Sequence, residues 1–130
     1  MSQNTIAQDS SAQGFAAQSL TSWSAPRAEE RHAAIDALWA PDGRLTVSST
    51  GQTLTGREAI TAHIDGVYED LIADKGLEFR YNQEVTSGDA LLLRWSMIAP
   101  DGTVAGRGVD IVYRDDAGCI ATVHMFMGIN

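Results

Sequence analysis

A single cysteine, Cys119, stands in the 130-residue sequence, so no internal disulfide can form. That excludes a disulfide-stapled secreted scaffold and fits a reducing compartment. Cys119 follows the turn "DDAG" and reads as a small residue opening a strand rather than as a reactive thiol. Basic residues are also scarce: nine Lys and Arg against 17 Asp and Glu, a formal net charge of −8. The few basic side chains are spread along the chain and form no patch for nucleic acid or an anionic membrane surface. No run reaches the roughly 18 apolar residues of a membrane span. The polar opening "MSQNTIAQDSSAQG" has no apolar signal core. The expectation is a cytoplasmic protein forming one domain over residues 1–130, with residues 1–10 as a flexible tail.

What is present is an ordinary globular balance of 44% apolar and 20% charged residues. The three prolines fall at boundaries. Residues 15–24 place Phe15, Leu20 and Trp23 at helical spacing. Pro26 suits the first turn of a second helix, "RAEERHAAIDALW", with Glu29 and Glu30 at its positive end. Its apolar stripe is Ala34, Ile35, Leu38 and Trp39, and "APDG" at 40–43 stops it. A strand follows around Leu45–Ser49, then a turn at Gly51. Thr55 with Glu58 three residues on is a capping-box pattern, so a third helix starts there and ends at "DKG", 74–76.

From Leu77 the period changes to two, and four strands follow as an antiparallel meander. The order is α+β, with helices gathered on one face of a mostly antiparallel sheet. Both faces of the last strands are apolar. Val109, Ile111 and Tyr113 oppose Asp110 and Val112, and Val123, Met125 and Met127 oppose His124 and Phe126. Three short helices cover one face; the other is expected to form an oligomer interface.

Within "GRGVDIVYR", Asp110 is the odd residue, because Asp is depleted from strand interiors. It is either the working group of a pocket or a buried carboxyl hydrogen-bonded to a neighbouring element. Phe79 and Tyr81 share a face, so Tyr81 is a candidate pocket hydroxyl or a core residue. The row Leu91, Leu93, Trp95 and Met97 favours Trp95 inward. The opposite parity, with Arg94 inward and pairing with Asp110 to make an anion site, stays open. His63 borders the apolar stripe of the third helix, as a core or rim residue or an acid–base group. His124 falls on the outer face if Met125 is inside, and His32 reads as a solvated helix residue. The histidines lack ligand spacing, and no dinucleotide, phosphate-loop or nucleophile-elbow pattern occurs, so neither metal nor cofactor is expected.

The ordered set "LWAPDG" (38–43), "GREAI" (56–60), "LRWSM" (93–97), "GVDIVYRDDAGCI" (108–120) and "VHMFM" (123–127) resembles the nuclear transport factor 2-like superfamily. The nearer part is the branch of ketosteroid isomerases, SnoaL-like polyketide cyclases and limonene-epoxide-hydrolase-like proteins. The resemblance implies a cone-shaped curved sheet with helices closing an apolar pocket, and homodimers packed through the outer sheet face. It places Asp110 where the isomerases carry a protonated pocket acid that donates to an enolate oxygen. It also implies departures. The isomerase base position is Val47, the cyclase base position is Met125, Arg94 lacks the Asp partner of the epoxide hydrolases, and the first helix has no Tyr.

The resulting expectation is a cofactor-independent enzyme doing proton-transfer chemistry, namely isomerisation, cyclisation or dehydration, on a lipophilic carbonyl or polycyclic metabolite. Asp110 and His63 are the candidate catalytic groups. Phe15, Trp39, Val47, Tyr81, Arg94, Trp95, Met125 and Met127 are the candidate substrate contacts. The alternative is a non-catalytic small-ligand-binding or dimeric scaffold module. The two-faced strands predict a dimer in sedimentation at low micromolar concentration; a single species at monomer mass would count against it.

Overall fold

The structure, a computed structural model, describes residues 15–129. The expected tail, residues 1–10, lies outside the described residues. The first helix, α1, covers residues 15–24. It is followed by α2 (Ala28–Leu38), β1 (Trp39–Val47), β2 (Gln52–Thr55) and α3 (Arg57–Val67), which runs on through a π-helical turn at Tyr68–Ala73. The strands β3 (Glu78–Ser87), β4 (Ala90–Ile98), β5 (Val104–Arg114) and β6 (Ile120–Met127) complete the chain. The six strands lie in the order β2-β1-β6-β5-β4-β3. β1 and β6 are parallel and the other pairs antiparallel. Register shifts in four of the five pairings, at Trp39/Arg44, Tyr81/Gln83, Met97/Ile98 and Tyr113/Arg114, bend the sheet into an open curl. Among the described residues no helix is long and apolar enough to cross a membrane.

The helices lie on the concave side. Ile35, Ile60 and Ile64 are 0% exposed and pack with Leu45, Leu93 and Trp95 of the sheet in one core. Each such side chain contributes about 1.5–3 kcal/mol of burial, which outweighs the weak end signals of these short helices.

Three local expectations are corrected. "APDG" at 40–43 does not follow a helix running through Trp39: α2 ends at Leu38 and these residues belong to β1, which begins at Trp39. Thr55 and Glu58 form no capping box. Thr55 ends β2, and the N-cap of α3 is Gly56, with φ 90° and no side-chain cap. Only glycine adopts that conformation cheaply, and the Gly56 N–H donates to Gly43 O at 2.8 Å, closing the corner. Pro26 precedes the N-cap Arg27 instead of entering the first turn of α2.

"GRE" acts through its arginine. Arg57 donates from Nε and Nη2 to Trp39 O (3.0 and 2.6 Å) and from Nη2 to Asp36 O (3.2 Å). It thus satisfies carbonyls at the C-terminus of α2 with a positive charge at the negative end of the helix dipole. A second arginine joins the helices. Arg31 is only 4% exposed, donates to Ala25 O at 2.8 Å and pairs with Asp65 Oδ1 at 3.2 Å. Its guanidinium carbon lies 3.9 Å from the Tyr68 ring centroid. His32 stays solvent-accessible, its side chain 42% exposed, and its Nε2 also meets Asp65 Oδ2 at 2.8 Å. Asp65 is therefore the counter-charge holding α2 against α3. Asp65→Ala, which strands the buried guanidinium, should cost about 3 kcal/mol in urea unfolding. Arg31→Met added to it should recover part of that loss; strict additivity would refute the coupling.

Candidate functional site

Asp110 lies in the middle of β5, opposite Leu93 of β4 and Met125 of β6. Its side chain points to the concave face and is 4% exposed. Trp95 shares that face, and its Nε1–H donates to Asp110 Oδ1 at 2.9 Å. The indole reaches the carboxyl because it lies across Gly108, its cross-strand partner. A Cβ at Gly108 would stand 2.2 Å from the indole Cζ2. The glycine two residues before Asp110 is thus the seat of Trp95.

Burial pushes the Asp110 carboxyl up to about 7, against a smaller opposing effect of the Trp95 hydrogen bond. Oδ1 accepts from the indole, which leaves Oδ2 to carry a proton. Tyr81, half-buried on β3, directs its hydroxyl to Ser19 Oγ at 2.7 Å. Burial raises the Tyr81 pKa, and the Asp110 charge raises it further, so the phenol stays neutral.

Beside this cluster is an apolar cavity of about 190 Å³. Trp23 of α1, Phe79 of β3, Trp95 and Met97 of β4, and Met125 and Met127 of β6 form half of its wall, and Ser49 and Thr50 add two hydroxyls. Trp95 therefore has two roles: one side of its indole bonds Asp110, and the ring walls the cavity. His63 of α3 is half-buried in the same wall, 6.2 Å from the Trp23 ring in an edge arrangement. Burial lowers its pKa, so the imidazole is neutral near pH 7. His63 also borders an open groove with Asp70, Asp74 and Lys75, so it stands between cavity and surface. Among the described residues no three His, Cys, Asp or Glu side chains converge as a metal site.

The structure brings together Val47, His63, Trp95, Met125 and Met127 around the cavity, with Asp110 and Tyr81 behind Trp95. It moves three expected contacts elsewhere. Arg94 pairs across strands with Val109, on the opposite face from Trp95, so it makes neither a cavity contact nor an Arg94–Asp110 pair. Trp39 starts β1 at the end remote from Val47, where its ring covers Gly43 and its partner is Ile120. Phe15 is buried near the same end, under the Arg114 guanidinium at 5.1 Å. His124 is on the outer face as expected, bonded through Nδ1 to Thr46 Oγ1 at 2.8 Å.

Sequence reasoning missed Ser19, Gly108 and Glu84. The bulge at Tyr81/Gln83 turns Glu84 to the concave face, level with Leu93 and hence with Asp110. One cross-strand row then reads Val47, Met125, Asp110, Leu93, Glu84. Gly108 could have been suspected from "GRGVD", since glycine within a strand marks a close approach.

The open curled sheet with helices over an apolar cavity defines an α+β protein of the nuclear transport factor 2-like type. A family model described as a SnoaL-like domain matches residues 20–123, and the chain belongs to that family. Among solved structures it is similar to a candidate isomerase of the SnoaL-like family from Agrobacterium tumefaciens. That match has a TM-score of 0.76 at 23% identity, over 88% of this chain and 94% of the other. It is also similar to a candidate SnoaL-like polyketide cyclase from Jannaschia, at a TM-score of 0.61 and 17% identity, over 75% and 72% of the two chains. A protein of ketosteroid isomerase-like fold from Catenulispora acidiphila, solved with trimethylamine, matches at 0.66 and 14% identity, over 86% and 83%. At these identities the likeness is one of fold. No curated protein matches the chain.

The raised Asp110 pKa has a consequence for stability. Between 3.8 and about 7 the folded state holds a proton that the unfolded state has released. The contribution of this group is therefore largest at low pH and is lost as pH rises through about 7. Asp110→Asn should gain on the wild type across that window, by on the order of 4 kcal/mol. Urea midpoints of both proteins from pH 4 to 8 check it, and a pH-independent difference would show that the carboxyl titrates normally.

Proposed function

We propose that the chain is a cofactor-independent enzyme of proton transfer acting on a lipophilic carbonyl compound, by isomerisation, cyclisation or dehydration. The observation that carries this reading is Asp110: a carboxyl buried in an apolar interior, held through Oδ1 by Trp95 and pushed up to about 7. Such a group keeps a proton at neutral pH and can donate it from Oδ2 to an oxygen that gains negative charge. His63, neutral in the cavity wall, is the matching base. It would take a proton from the carbon next to the carbonyl and return it at the same or a conjugated carbon. Tyr81 and Ser19 would support the acid, and Val47, Met125 and Met127 would hold the apolar body of the substrate. Because Trp95 stands between the cavity and Asp110, the reaction requires the indole to shift when substrate enters. The names given to the Agrobacterium and Jannaschia proteins are consistent with this class. The outer sheet face, with Tyr113 and Phe126 exposed, would pair two copies of the chain.

A second reading is a ligand-binding module without catalysis. One observation favours it: Trp95, not Asp110, forms the cavity wall. Exchange of the α-protons of a cyclic enone in deuterated water, followed by NMR, separates the two. The enzyme reading predicts exchange that Asp110→Asn slows roughly a hundredfold or more, with enone affinity nearly unchanged. The rate should rise as His63 loses its proton below its ordinary 6.5 and fall as Asp110 loses its proton at about 7. Full activity in Asp110→Asn would sink the mechanism.

A further inference from the structure

Lipophilic substrates range from one ring to four, and the cavity distinguishes them. We infer that it takes a neutral single-ring molecule carrying one hydroxyl or carbonyl oxygen, and excludes both polycyclic molecules and organic anions. This rests on the reading of the cavity as the ligand site.

Size is the first argument. The cavity holds about 190 Å³, whereas sites for drug-sized ligands run to roughly 300–1,000 Å³. An apolar cavity of roughly 150 Å³ already accepts benzene. The space here fits one ring with one or two small substituents. The shift of the Trp95 indole that brings a substrate to Asp110 opens one side only, and a four-ring molecule would also have to displace Trp23 and Phe79. Trp95 is 2% and Trp23 and Phe79 are 6% exposed; Phe79 lies 5.9 Å from Trp23 and 5.2 Å from Trp95 between ring centroids.

Charge is the second argument. Among the described residues lining the cavity there is no Lys, Arg, Asp or Glu. Arg94, the cation that would have made an anion site, is on the opposite face. A carboxylate ligand would be buried without a counter-charge, with only neutral groups (Ser49, Thr50 and His63) to meet it, which costs more than its ring gains by burial. His63 supplies the one titratable side chain of the wall. A neutral imidazole offers one N–H and one lone pair, so it can donate to a carbonyl or accept from a hydroxyl. The methionines at 125 and 127 add flexible, polarisable contacts suited to a ring face or edge.

Calorimetric titration with four probes tests this. Isophorone (a one-ring enone) and toluene should bind. Progesterone, with four rings, and benzoate, a one-ring anion, should each bind at least about tenfold more weakly than isophorone. His63→Phe should weaken isophorone about five- to tenfold and leave toluene unchanged. Progesterone or benzoate binding as tightly as isophorone, or no binding of isophorone, would overturn the inference. The wild-type series decides it even if His63→Phe does not fold. Isophorone that binds without α-proton exchange counts against the proton-transfer reading alone. Tight progesterone binding with exchange counts against the size argument alone.

Discussion

The hydrogen bond from Trp95 to Asp110 is the constraint on which the rest of the site depends. It joins β4 to β5 inside the concave face at 2.9 Å. The bond exists only because Gly108 lets the indole lie flat across β5. Once seated, the indole occupies the centre of the sheet, walls the cavity and contacts Phe79. The carboxyl gains one donor but is otherwise held among apolar groups such as Leu93 and Met125, its cross-strand neighbours. One hydrogen bond does not offset the desolvation of a carboxylate. Its pKa therefore rises, and an acid able to donate at neutral pH results.

Charge is managed differently in the helical layer. Arg57 and Arg31 are turned onto backbone carbonyls, and Arg31 also onto Asp65. Both guanidiniums neutralise groups that helix ends leave without partners. The helices are thereby held over the sheet by polar contacts at their ends, while the surface they present to the cavity stays apolar. His63 is the exception, standing between the cavity and the outer groove.

The row Val47, Met125, Asp110 shows how one fold admits different chemistry. These three positions are where the resemblance places the acidic groups of isomerases and cyclases, and the sheet aligns them as neighbours on β1, β6 and β5. Here two of the three are apolar. In the proposed reaction His63 of the helical layer, in place of an acid at Val47 or Met125, would act with Asp110. This arrangement also leaves more of the cavity wall apolar.

The α+β order, the two-faced strands and the inward parity of Asp110, Met125 and Trp95 were legible in the chain, because alternation in a strand is local and a buried face tolerates few polar residues. Helix ends were less legible. Thr55 and Glu58 carry a capping signal that loses to a glycine corner tied to Gly43. The strand β2 was invisible, since Gln52–Thr55 is mostly exposed and gains its order from pairing with β1. The partnership of Trp95 with Gly108 was beyond local reading for a similar reason. A register shift near Met97/Ile98 displaces β5 by a residue, and simple counting from the "APDG" turn would oppose Trp95 to Arg107. The sequence by itself determined which side chains are apolar and which face of each strand they share. Only the tertiary structure decided which of them meet. Bulges, close approaches and cavity volume depend on how distant segments pack, and no local pattern carries that information.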